Sequence, residues 1–388
     1  MTIGHVFSAN GGDGRRIFLA KVQGAEGTID SLTAGTHEKL YEAGSMLKPV
    51  RETLTPDVVS PSNQGSAVWT TNEHVEVEIT SRIFPTTISS ADSTDEPRPS
   101  ELLVTSGWEL VSDSTDKTHS YVLTANQGSV LSAKLVKINA NNTANRSIHA
   151  GDIRGSVIIS ARYGQPWTIN YKGIGRNNDP TNIRSYDANP YTTVPANLPS
   201  SDYPPLMMKG STLYLYDQTG TALYAGGSLG TPGTAGDLLE FSFDSNRVPV
   251  ARGGASATSG IHGAILEQGR PTLDLTLECN SNDLHYWHSL SKGLQFRIKS
   301  PQPQASGNTA TLLTFGFITE IDDEEIDEGR YVAKVKIACG WPADVSDNAP
   351  KIGSNPLSPW TTASNQGVPL MPTTTLPVGM ALLQFATV

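Results

Sequence analysis

Apolar and polar side chains alternate with period two in eight separate segments of this chain: VEVEI at 75–79, LSAKLVKI at 131–138, WTINY at 167–171, LYLY at 213–216, FSF at 241–243, TLDLTLEC at 272–279, LQFRIK at 294–299 and YVAKVKIA at 331–338. A strand with this pattern buries one face and wets the other. Repeated this often, it specifies an antiparallel β protein whose sheets keep one solvated or interface face. With Gly 36 and Pro 25 among 388 residues, and only 17% charged and 7% aromatic, the composition also favours turns and strands over long helices.

Two segments read as helix. In 99–106, Pro99 suits a first turn, Glu101 favours the positive helix N-terminus and Gly107 supplies a left-handed stop. In 281–291, Asn280 or Ser281 caps, Asp283 lies in the first turn, Leu284, Trp287, His288 and Leu290 share a face, and Gly293 ends the run. Their surroundings are alike. VEVEIT, the first helix, LSAKLVKI, RGSVIISARY and GQPWTINYKGIG run parallel to LDLTLEC, the second helix, LQFRIKS, NTATLLTFGF and GRYVAKVKIACG, closing on Gly175 and Gly340. The pattern implies an internal repeat. It divides the chain into a first half at 1–175, an Asn/Pro/Ser-rich linker or crossing loop at 176–205, a second half at 206–341 and an extended, proline-punctuated arm at 342–388.

Lys plus Arg 28 against Asp plus Glu 38 gives a net charge of -10, which opposes a grip on nucleic acid. Two cysteines, Cys279 and Cys339, are too few for a zinc set or a disulfide framework and read as buried free thiols. No stretch reaches the ~18–20 apolar residues of a membrane-spanning helix, and the first residues lack the apolar core of a signal peptide. A soluble chain made in the cytoplasm, with no membrane partner, is the expectation.

Short motifs suggest little chemistry. Gly226-Gly227-Ser228-Leu229-Gly230 fits G-x-S-x-G but lacks the strand and helix that a nucleophile elbow needs. Ser45-Met46-Leu47-Lys48 fits S-x-x-K, but Pro49 follows and neither companion motif occurs. His285 and His288, with Asp283 nearby, fall short of a convincing metal set. The acidic run Glu320, Asp322, Asp323, Glu324, Glu325, Asp327 and Glu328 has no EF-hand spacing and is read as a hairpin between two strands, either solvated, calcium-binding or lining a lumen. No catalytic, cofactor or metal residue is assigned, and the chain is read as a non-enzyme without cofactors.

Asp152-Ile153-Arg154-Gly155-Ser156-Val157-Ile158-Ile159-Ser160, followed by Gly164-Gln165-Pro166-Trp167-Thr168-Ile169-Asn170-Tyr171-Lys172-Gly173, resembles the major tail tube proteins of long-tailed, siphovirus-like bacteriophages. Further resembling features are Gly24-Ala25-Glu26-Gly27-Thr28, the short helix ending at Gly107-Trp108, Gly269-Arg270-Pro271 and Gly307-Asn308-Thr309, so that the likeness spans roughly 15–340. The resemblance implies a mainly β, tail-tube-type β-sandwich or partial barrel with short flanking helices, here duplicated within the chain. It implies rings, stacked into a tube in the virion tail and assembled in the host cytoplasm, through which DNA passes without specific binding. The implied partners are the chain itself, a tape measure protein, a tail terminator and tail-tip or baseplate hub proteins. With two tube-type halves per chain, three chains make a pseudo-hexamer; an ordinary hexamer with surface decoration is the alternative ring.

The long segments 38–74 and 342–388, with apolar anchors Leu40, Tyr41, Val68, Trp69 and Trp360, are the expected ring-stacking or inter-subunit contacts. The alternative function is a β-sandwich protein of the tail fibre or capsid surface that binds a receptor or saccharide. That reading needs an aromatic platform, which Trp108, Trp167, Trp287, Trp341 and Trp360 do not form in sequence.

Overall fold

The computed structural model describes residues 15–33, 37–39, 41–54, 69–85, 96–115, 117–138, 145–178, 185–187, 204–216, 222–224, 238–254, 261–278, 293–301, 308–327, 330–340 and 379–387. The first half contains β1 (Arg15–Val22), β2 (Glu38–Lys39), β3 (Met46–Leu54), β4 (Trp69–Arg82), α1 (Ser100–Val104), β5 (Trp108–Asp113), β6 (Thr118–Leu123), β7 (Leu131–Ile138), β8 (Asn145–Arg162) and β9 (Thr168–Asn177), and the segment read as a linker contributes β10 (Ser185–Asp187), which pairs with β8. Beyond it come β11 (Thr212–Tyr216), β12 (Ala222–Tyr224), β13 (Leu238–Asp244), β14 (Val248–Gly253), β15 (Ile261–Glu267), β16 (Thr272–Glu278), β17 (Leu294–Lys299), β18 (Asn308–Asp327), β19 (Arg330–Cys339) and β20 (Ala381–Thr387). Every named pairing is antiparallel, and the fold is mainly β with a sandwich-like buried core.

The alternating segments become strands for the reason their pattern gives. In β4, Val75, Val77 and Ile79 are buried, while Glu76, Glu78 and Thr80 lie on the other face. The same division runs through β9, β16 and β19, whose inward residues include Ile169, Tyr171, Leu273, Leu275, Val335 and Ile337.

Pairing follows one order in both halves. The first runs β1–β7–β8–β9–β4–β3 and the second β11–β17–β18–β19–β16–β13. Registers agree too: the β4–β9 ladder ends with Arg82 facing Thr168, and the β16–β19 ladder with Glu278 facing Val332. Matching these ends relates β4 to β16 by 196 positions (278 − 82) and β9 to β19 by 164 (332 − 168). Gly175 and Gly340 differ by 165, so they are not equivalent; Gly175 corresponds to Cys339, and both are buried. An odd offset would turn the buried face outward.

Three ties join the halves. β13 pairs with the outer part of β8, Phe241 facing Ala161 and Phe243 facing Ile159. β20 lies between β18 and β6. The hairpin β14–β15 reaches the first half, where Arg154 donates to the Ala264 carbonyl at 2.7 Å and Arg252 pairs with Glu26 at 2.6 Å.

Three expectations meet the structure here. The final apolar residues of the 342–388 arm pack back on the chain's own fold: β20 is a buried strand, with Ala381, Leu382, Leu383 and Phe385 at most 1% exposed. Its run was too short and too uniformly apolar to reveal partners by period. The segment 38–74 is not one irregular loop, because β3 pairs with β4 from Met46 opposite Glu78 to Leu54 opposite Trp69. Pro49 obscured that strand in the sequence, yet proline is accommodated on an edge strand. Of the two helices, α1 is shorter than 99–106, with Pro99 at its N-cap and Gly107 at φ 80 just beyond; 281–291 lies outside the described residues.

Candidate functional site

Eight strands form one uninterrupted path, β3–β4–β9–β8–β13–β16–β19–β18, four from each half. One face of this path packs on the core and the other is polar. Cross-strand partners on the polar face repeat between halves: Glu78 faces Lys172 and Asp274 faces Lys336, which are equivalent positions under the offsets above.

Cations on this face stand against carboxylates. Lys48 pairs with Glu76 at 2.9 Å and Lys336 with Glu320 at 2.7 Å, while Lys334 stands opposite Asp322. Glu320 holds the Lys336 ammonium above its ordinary pKa. Desolvation raises the Asp274 carboxyl above its usual value, with Asp244 and Glu320 adding to the rise and Lys336 opposing it. The face is therefore mixed in sign, with its lysines set against acids rather than presented to a phosphate.

Glu320 to Asp327 of the acidic run lie within the β18 strand, and this corrects their placement between strands. Asp322 faces Lys334, Glu325 faces Val332 and Asp327 faces Arg330, with one register shift between Ile318 and Glu320 and another between Asp322 and Glu325. Cations across the ladder offset repulsion along the run. Glu320 and Asp322 are exposed; Asp323, Glu324, Glu325 and Asp327 are described through their backbone alone, and Glu328 lies outside the described residues.

Of the proposed stacking anchors, Tyr41 alone has a described side chain. Tyr41 packs edge-on against Phe18 at 5.0 Å and donates to Glu101 at 2.5 Å, at the margin of the core. Burial and the Glu101 carboxylate push its hydroxyl well above the usual tyrosine pKa. Trp69 opens β4, its side chain beyond the described set; Leu40, Val68 and Trp360 fall outside the described residues.

Two pieces of the resemblance meet in space. Gly27, at φ 88, donates its N–H to Asp152 at 2.7 Å, and Glu26 pairs with Arg154 at 2.9 Å. Asp152 also accepts from Gln23 at 2.7 Å and pairs with Arg176 at 3.0 Å. Gly155 and Gly173 stand opposite each other beside the Tyr171 ring, where an added Cβ would come within 2.5 and 2.7 Å of ring atoms. Sequence reading singled out these segments by shape; it did not foresee that Glu26 links Arg154 to Arg252.

Ser45 and Lys48 of the S-x-x-K motif do not come together. Ser45 is buried and its hydroxyl accepts from Thr80 N–H at 3.1 Å, while Lys48 projects from the opposite, polar face. Ser228, Asp283, His285 and His288 lie outside the described residues, as does Cys279; Cys339 is a buried free thiol. Trp108 and Trp167 are core residues, 1% and 0% exposed, and so cannot serve a saccharide platform.

No protein-family model and no curated protein matches this sequence.

Proposed function

We propose that this chain is a structural protein that assembles into rings and stacked tubes of the bacteriophage tail-tube kind, with the polar face of the eight-strand path lining a conduit for DNA. The observation that carries the reading is that path itself, built from two halves of identical pairing order and ending in strand edges without partners among the described residues, at β3 and the outer half of β18. Unpaired edges on a long sheet promote association, and ring closure removes them.

The dimensions favour three copies. Twenty-four strands at about 4.8 Å spacing and a tilt of about 40° close on a circumference of about 150 Å, hence a barrel about 48 Å across its backbone. This leaves room inside for a DNA duplex. The chain's net charge of -10, together with lysines set against acids on the polar face, suits a lumen that does not hold DNA. The tape measure, terminator and hub proteins of such a tail are the proposed partners, and the virion tail the proposed location.

Negative-stain electron microscopy of the purified protein at high concentration, with end-on views averaged for rotational symmetry, tests this reading. Threefold rings or hollow tubes are expected. A protein that stays monomeric across a wide concentration range, even with tail-tip complexes added, overturns it.

A further inference from the structure

We propose that β3 of one copy pairs antiparallel with the outer half of β18 of the next, in the register that β13 and β8 already use within the chain, so that Lys48 faces Asp322 across the joint. The proposal rests on the ring reading for the number of copies, but its register comes from the fold.

β13 has two partners, β16 on one edge and β8 on the other. Its counterpart β3 has β4 on one edge and, among the described residues, nothing on the other. β8 carries β9 on one edge, while β7 and then β13 occupy the opposite one. Its counterpart β18 carries β19 and β20 on one edge and β17 on the other, and the β17 pairing ends with Leu294 opposite Gly316. Each open edge thus corresponds to one that is filled at the internal seam.

The residue correspondence closes through independent pairs. Met46 faces Glu78 as Ser242 faces Asp274, and both members differ by 196 (242 − 46 and 274 − 78). Ile158 faces Asn170 as Asp322 faces Lys334, and both differ by 164 (322 − 158 and 334 − 170). Within the chain Asp244 faces Ile158. Carried to the joint, 244 − 196 gives Lys48 and 158 + 164 gives Asp322.

Backbone chemistry keeps the joint short: Ser45, in the place of Phe241, already donates its N–H to the Glu42 carbonyl at 2.9 Å. Odd residues of β13 turn their peptide groups toward β8: Leu239 accepts from Tyr163 at 2.7 Å and Ser245 donates to Val157 at 3.2 Å. Pro49 occupies the place of Ser245 and has no N–H to donate, so the joint ends at Lys48. Lys48 and Asp322 are then a pair without direct backbone bonds, the kind in which opposed side chains come closest, and they carry opposite charge. Both are exposed in the single chain.

The test is the full-length double variant Lys48→Cys/Asp322→Cys, oxidised at assembling concentrations and run on a non-reducing gel beside each single variant. Opposed residues of this pair type lie ~4.5 Å apart at Cα, within disulfide reach. Covalent dimers and trimers are expected from the double variant alone, and circular dichroism checks that it folds. In the same preparation, Lys48→Asp should reduce ring formation at least tenfold and Lys48→Asp/Asp322→Lys should restore it. Rings without cross-links overturn this joint and leave the ring reading standing. Cross-linked chains without rings or tubes sustain the joint and overturn the tube, whereas a monomer with neither overturns both.

Discussion

Asp274 stands directly opposite Lys336 across the β16–β19 ladder. Lys336 is also hydrogen-bonded to Glu320, and Asp244 adds a third carboxylate near Asp274. One ammonium therefore offsets a local excess of negative charge on the polar face. Because the folded Asp274 carboxyl titrates above its ordinary 3.8, its ionisation opposes folding as pH rises through that interval. Lys336→Met removes the opposing cation. The variant should be less stable than the parent at pH 7, with the difference narrowing in acid as the carboxylates protonate, in urea unfolding at both pH values.

Glu26 behaves in the opposite sense. Its hydrogen bond to Arg154, with further attraction from Arg154 and Arg252, holds its carboxyl below the ordinary 4.5 despite partial burial. Stability from a lowered acid is fully present above the unfolded value and is lost as pH falls through the folded one. Glu26→Gln should therefore cost stability at pH 7, about 0.5–1 kcal/mol after solvent screening. Denaturation midpoints of variant and parent should converge as pH drops below 4.5.

The role of β20 gives a sharp expectation. A tail that only linked rings could be removed from a folded subunit, but Leu383 is fully buried and faces Leu312 and Tyr121 from the two flanking strands. Leu383→Ala should cost about 2–5 kcal/mol in chemical unfolding. Deleting 350–388 should yield insoluble or unfolded chains, and a soluble truncated chain with parental circular dichroism would contradict β20 as a core strand.

Cys339 is buried, and burial pushes its thiol up to about 12. The thiolate is the reactive form, so this residue should stay unlabelled by iodoacetamide at pH 8 in the native protein and label completely in urea. Mass spectrometry of the peptide containing Cys339 distinguishes it from Cys279. Labelling at the rate of a free thiol without denaturant would mean that the strand opens readily.

What the sequence made legible was whatever obeys a local period. Segments such as VEVEI and YVAKVKIA announced both their strands and their wet faces, and their spacing betrayed the repeat. Position β3 did not, because Pro49 and the mixed charges of Lys48, Arg51 and Glu52 hide an edge strand whose partner is 32 residues away in chain numbering at Met46 and Glu78 (78 − 46). β20 was hidden for a different reason: burial on both flanks erases alternation. Charge at Glu320 and Asp322 was conspicuous, but its place within a ladder depends on cations more than ten residues away, Lys336 opposite Glu320 and Lys334 opposite Asp322. The open edges of the eight-strand path, among the described residues, follow from topology and have no sequence motif at all.

The internal seam is held by aromatic contacts that cross it. Phe241 of β13 meets Trp167 edge-on at 4.7 Å, and Phe243 meets Trp108 at 5.8 Å. All four rings are at most 1% exposed. Since the two halves also share the β18–β20–β6 pairing, neither can lose its strands while the other stays intact, and unfolding should be a single transition. Phe241→Ala should lower stability by about 3–5 kcal/mol and do so for the whole chain. Tryptophan fluorescence, reporting the seam, and far-ultraviolet circular dichroism, reporting both halves, should then shift together to the same lower urea midpoint. Two separated transitions, with fluorescence moving first, would mean that the halves fold independently and that the seam is a contact between finished domains.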